Sequence, residues 1–200
     1  MAYFLIVTIF LAIAYYPEKY QFFAENISNL GAFESRLFSP NTTSMYIFIV
    51  GFGICGAMAL SVAILYFFNR YLHSWYIKGP LAIVLALGAA GVAIPKDHDL
   101  SILHIAGAAM FIGGFAAFNA YLQITSSYRK HIKKEVEVSR ADTIWDIFLS
   151  VVVLVILLGY FTIFALDWLN IGAAFLGPVF QKVIVFAEIL ALYFIDNKDV

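Results

Sequence analysis

The sequence predicts an all-α fold, a polytopic bundle of transmembrane helices. Three observations carry that expectation. Of 200 residues, 63% are hydrophobic and 12% charged, where a soluble domain has about 25% charged. The apolar residues fall in runs near the ~20 residues needed to cross ~30 Å of hydrocarbon. The basic residues gather in alternate connections, as they do where loops stay cytoplasmic. This composition excludes a soluble enzyme and a disordered chain. With 12 Lys and Arg against 13 Asp and Glu, no net field exists to recruit a nucleic acid. One cysteine, Cys55, excludes an intrachain disulfide and a cysteine-rich metal site.

Six runs follow in order. The first, Ala2 to Tyr16, is short but wholly apolar. Ala12-Ile13-Ala14 has the small-x-small form of a signal cleavage site, but no basic segment precedes it, so it reads as a retained span. The others are Met45 to Phe68, Pro80 to Ile94, Leu100 to Thr125, Thr143 to Leu166 and Pro178 to Ile195. The third is again short, with Trp75 to Ile77 as an optional extension, and Pro178 suits the first turn of the sixth. The connections leave no room for a soluble domain, so residues 1–200 form one transmembrane domain.

Charge sets the orientation. Arg70, Lys78, Arg129, Lys130, Lys133, Lys134, Arg140 and Lys198 fall on one side, and Lys19, Arg36 and Lys96 on the other. The first side is cytoplasmic and carries both termini. The loop 17–44 is then outside, where the sequons at Asn26 and Asn41 have meaning. Within it, Tyr20, Phe23, Ile27 and Leu30 share one helical face. That pattern fits an interfacial helix capped by Gly31, or equally an ordered loop folded over the bundle. Asn41 to Ser44 can cap the second span.

Small residues recur in the middle spans: Gly51, Gly53, Gly56 and Ala57, then Gly88 to Gly91, then Gly107, Ala108, Gly113 and Gly114. They let transmembrane backbones approach closely. Ionisable residues are few, and each is a candidate site. Glu188 lies ten residues past Pro178, ~15 Å into the membrane. It reads as a neutral acid bonded to a neighbouring helix, or as a proton relay, cation site or headgroup contact. Lys182, on the same helix, can snorkel to a lipid phosphate.

Asp97, His98, Asp99, Ser101 and His104 cluster at the outer mouth of the fourth span. One helix does not converge a catalytic triad, and the spacing is poor for a metal. Capping by Asp97 or Asp99, and a hydrogen bond from His104 to a neighbour, are the simpler readings. His104 still sits at headgroup depth beside an acidic rim. Asn119 and Gln123 share a face near the inner end of that span, and Asp142 and Asp146 complement the start of the fifth. The basic run from Arg129 to Lys134 attracts anionic headgroups. No haem pair, metal motif or dinucleotide fingerprint occurs, so no cofactor is expected.

Two segments carry a family resemblance. One is Ile27-Ser28-Asn29-Leu30-Gly31, followed by Pro40-Asn41, Ser44 and the glycine-rich second span. The other is Gly91-Val92-Ala93-Ile94-Pro95, followed by His104 and Gly107-Ala108. In these the chain resembles the prokaryotic six-span family called domain of unknown function 998, akin to the Frag, DRAM and Sfk-like membrane proteins. Gly177, Gln181 and Lys182 echo its last span more loosely. The resemblance implies a six-helix bundle with its polar motifs outside, and a role connected with lipids. It would place Ser28, Gly31, Pro40, Pro95 and His104 around a shared outer site. It supplies no catalytic residue.

The leading functional expectation is an outward polar pocket that binds, and can remodel, a polar lipid or headgroup. Its candidate ligand-binding residues are His104, Asp97, Ser28, Lys182 and Glu188, with Lys182 as the phosphate contact. Membrane lipids are the expected partners. The alternatives are an accessory subunit of a larger membrane complex, and a small proton-coupled transporter built on Glu188.

Overall fold

A computed structural model describes residues 1–95, 101–131, 140–169 and 176–193. Its helices are α1 (Ala2–Ala14), α2 (Thr42–Phe68), α3 (Trp75–Val92), α4 (Ser101–His131), α5 (Arg140–Trp168) and α6 (Gly177–Tyr193), with a 3₁₀ turn at Ile27–Gly31. No strand occurs among the described residues, and their one extended pairing is an isolated bridge from Glu34 to Pro40. The chain is all-α. Four segments are long and apolar enough to cross a membrane: Thr42–Phe68, Trp75–Val92, Ile102–Thr125 and Thr143–Leu166. That makes it a membrane protein.

The end helices are shorter. α1 has 13 residues and rises only ~20 Å. It lies along the first half of α2, where Thr8 fills the space that Gly51 leaves by having no side chain. Consecutive helices pack on one another, and α6 returns to touch both α1 and α4. An aromatic ladder runs through the core. The Phe48 and Phe52 rings are 4.5 Å apart, Phe52 and Phe111 5.3 Å, Phe111 and Phe115 5.9 Å.

α3 begins at Trp75, ahead of the Pro80 start expected from sequence. The Trp75 ring packs on Phe67 at 6.2 Å and under the Arg70 guanidinium at 5.5 Å. Ser74, in the left-handed region at φ 57°, accepts from the N–H groups of Ile77 and Lys78, both at 3.0 Å. Pro80 lies inside this helix, where it has no N–H to donate. Lys78 therefore lies within the helix rather than in a loop, and it is buried with its ammonium 5.6 Å from the Tyr66 ring.

The glycines of α3 and α4 form a backbone-to-backbone crossing. A methyl on Gly91 would come within 2.6 Å of Gly107 Cα, and one on Gly88 would overlap the Phe111 backbone. α5 is different. Only 17% of its apolar stretch is buried, against 50% for α4. Its Ile144, Val151, Val155 and Leu158 face outward.

Candidate functional site

The loop 17–44 does not form the amphipathic helix that its spacing allows. Tyr20, Ile27 and Leu30 are buried, but Phe23 is 74% exposed, and the only helical turn is Ile27–Gly31. The loop folds over and into the bundle, the second of the two expectations. Gly31 sits on the Phe48 ring, where a Cβ would come within 2.5 Å. Phe48 is six residues into α2, ~9 Å below its start.

Irregular backbone at that depth must have its polar groups satisfied by protein. Buried side chains do this. Asn41 is 1% exposed. Its amide faces three carbonyls, at 3.0 Å from Ala32, 3.1 Å from Leu30 and 3.4 Å from Asn29. The Ser44 hydroxyl adds a bond to Leu30 O at 3.1 Å. Asn41 stands at the N-cap position of α2, yet makes no side-chain cap bond. Its amide serves the loop instead. Burial also removes the Asn41 sequon as an acceptor in the folded protein.

α6 holds the other end of the loop. Gln181 Oε1 accepts from Ile27 N–H at 2.8 Å. Lys182 Nζ donates to the backbone carbonyl of Glu25, and to Pro178 O at 3.1 Å. The ammonium sits 5.1 Å from the Phe22 ring and 5.6 Å from the Tyr20 ring. Glu25 supplies the countercharge, and its carboxylate accepts from Tyr16 O–H at 3.1 Å and Gln21 N–H at 3.0 Å. Burial, then the Glu25 carboxylate, then Tyr16 push the Tyr20 phenol up from its ordinary range. Tyr20 stays a neutral donor, on Glu25 O at 3.0 Å. Lys182 is 3% exposed. The expected snorkelling to a phosphate is therefore corrected: carbonyls and rings saturate the ammonium inside the protein.

Beneath this loop lies a cavity of about 210 Å³. Asn26 and Ser28 from the loop, His104 from α4 and Gln181 from α6 are its polar lining. Ile105, Phe161 and Phe164 are apolar lining residues, and Tyr160 of α5 lines it too. A narrower void of about 30 Å³ continues inward past Ser28 and His104 to Phe48 and Phe52. His104 Nδ1 bonds Ile94 O at 2.8 Å. A carbonyl only accepts, so Nδ1 carries the proton in that bond. The contact ties the start of α4 to the end of α3.

Of the residues singled out from sequence, the fold brings Ser28 and His104 to one cavity. Lys182 lies next to Gln181 but turns toward Glu25. Glu188 lies deeper, fully buried, with Asn119 Nδ2 donating to its backbone carbonyl at 3.0 Å. Asp97, with His98 and Asp99, lies outside the described residues, as do Lys133 and Lys134 of the basic run. Sequence reasoning missed Glu25, Tyr160 and the tethering role of Asn41. Gln181 carried a signal, being a polar residue beside Lys182 in an apolar helix.

Fold and site together define an all-α membrane protein with a loop-capped cavity between its later helices. No family model matches the chain, and neither a curated protein nor a solved structure is similar to it.

Proposed function

We propose that this protein holds the polar end of an amphiphilic lipid in the cavity beneath loop 17–44. One observation carries the reading. The cavity has a mixed lining, in which Asn26, Ser28 and His104 bring polar side chains and Ile105, Phe161 and Phe164 apolar ones. Ligand sites of this kind combine apolar walls with a few placed polar groups. A headgroup would meet the polar side chains, and an acyl chain the apolar ones. Lys182 is spent on the loop, so His104, Ser28 and Gln181 take over headgroup recognition.

The reading includes six spans with both termini cytoplasmic in a cell membrane, on the charge asymmetry of the loops. It also includes membership of the six-span family that the short motifs resemble. Two of its expected outer-site positions, Ser28 and His104, line the same cavity.

Mass spectrometry of the gently purified protein tests the proposal. A defined lipid should co-purify in stoichiometric amount. Ala108→Phe, which fills the cavity without removing a polar partner, should displace it, and His104→Ala should weaken it. Identical lipid content in wild type and Ala108→Phe would sink the idea. A subunit role has one observation in its favour, the outward apolar face of α5. A stoichiometric protein partner in the same preparation would establish that role instead.

A further inference from the structure

The cavity beneath loop 17–44 is polar without being charged. Among the described residues that line it, none is Asp, Glu, Lys or Arg. Lys182 follows Gln181 in the chain, but its ammonium is bonded to the Glu25 and Pro178 carbonyls and balanced by the Glu25 carboxylate. The stretches of sequence beside His104 and Phe164 are more acidic than basic, with Lys96 against Asp97, Asp99 and Asp167. An ordinary imidazole, with a pKa of about 6.5, is mostly uncharged at neutral pH. The start of α6 also lines the cavity, at Gly177 and Pro178. A helix N-terminus offers about half a charge, and Pro178 has no N–H to add to it. A phosphate held here would bring at least a full negative charge, and burying a charge without a paired cation is strongly disfavoured.

What the lining offers is neutral hydrogen bonding. Gln181 Oε1 accepts from Ile27 N–H at 2.8 Å, which fixes the amide's orientation and leaves its NH₂ group to donate. Asn26 stands at the N-cap position of the 3₁₀ turn but makes no cap bond with its side chain. Its carboxamide both donates and accepts, and so does the hydroxyl of Ser28 on that turn. Such groups match an alcohol, which also donates and accepts. They match an anion less well, because an anion only accepts.

We infer that the cavity selects amphiphiles whose polar end is uncharged and bears hydroxyls, such as a monoacylglycerol or a glycolipid, over phospholipids. This rests on the reading of the cavity as a lipid site. Two probes that differ by one group test it, monooleoylglycerol and its phosphate ester. Each is added at equal concentration to the purified protein in a zwitterionic detergent. The buffer is at about pH 8, where an ordinary imidazole is neutral, and adducts are measured by native mass spectrometry. Monooleoylglycerol should bind more than about tenfold more tightly than the ester, and Ala108→Phe should abolish its adduct. Ser28→Lys, which puts a cation where the described lining has none, should bring the ester level or ahead. Equal or preferred binding of the ester by wild type, lost in Ala108→Phe, overturns the selectivity and keeps the lipid site. Adducts of both probes that Ala108→Phe leaves untouched overturn the lipid site, and the inference with it. A wild-type preference that Ser28→Lys does not change overturns the missing charge as its cause, even where Ala108→Phe fails to fold.

Discussion

At the α3–α4 crossing, Gly88 meets the backbone of Phe111 and Gly91 meets Gly107, whereas on α5 Gly159 meets only the ring of Phe180 at 3.0 Å. A backbone contact cannot yield, but a ring can rotate. Lipid tails are as apolar as leucine, so helices in a membrane associate through close packing rather than by escaping water. α3 and α4 obtain that packing from glycine. α5 has less of it, and its large side chains face outward. The first helices therefore form a tight block, and α5 a looser flank.

Substitutions can break or sharpen this contrast. The largest effect should come from Gly88→Leu, which forces the seam apart. We expect a loss above ~3 kcal/mol, beyond usual overpacking costs, read as little folded protein after extraction. Next comes Lys182→Met, which removes the charged bonds from the ammonium to the Glu25 and Pro178 carbonyls. It should cost about 2 kcal/mol and speed proteolysis within 17–44, with the seam unaffected. Gly159→Ala should cost about 1 kcal/mol at most, because Phe180 can shift. Smallest is Leu158→Ala on the outward face of α5, expected within ~0.5 kcal/mol of wild type. Unfolding in mixed micelles ranks all four. A Leu158→Ala loss as large as that of Gly88→Leu would mean that a protein, not lipid, covers α5.

Much of the bundle was legible in the residues. The four long spans appear as apolar runs, and the glycine clusters of α3 and α4 mark a real crossing. Yet glycine alone does not say which neighbour it meets. Gly53 has nothing within 4 Å, though it belongs to the same cluster as Gly51, which receives Thr8. The loop was harder to read. Tyr20, Ile27 and Leu30 announce burial through their spacing, but the periodicity could not separate a helix on lipid from a loop inside protein. What decides it is long-range: Asn41 serving carbonyls of residues 29–32, and Lys182 reaching Glu25 from the far end of the chain. For the same reason the partner of Glu188 was invisible until α4 and α6 were brought together at Asn119.

The glycine seam also constrains motion. Sliding α3 along α4 by one residue, ~1.5 Å, would replace a glycine at the contact with a side chain that has nowhere to go. The pair is mechanically a single beam, with no adjustable register. Any widening of the cavity then falls to the flank that carries Tyr160, Phe161 and Gln181. Spin labels on α3 and α4 should keep one separation through every change of cavity contents, while the α4–α5 separation varies. The stiff half would thus serve as the frame, and the loosely held half as the door.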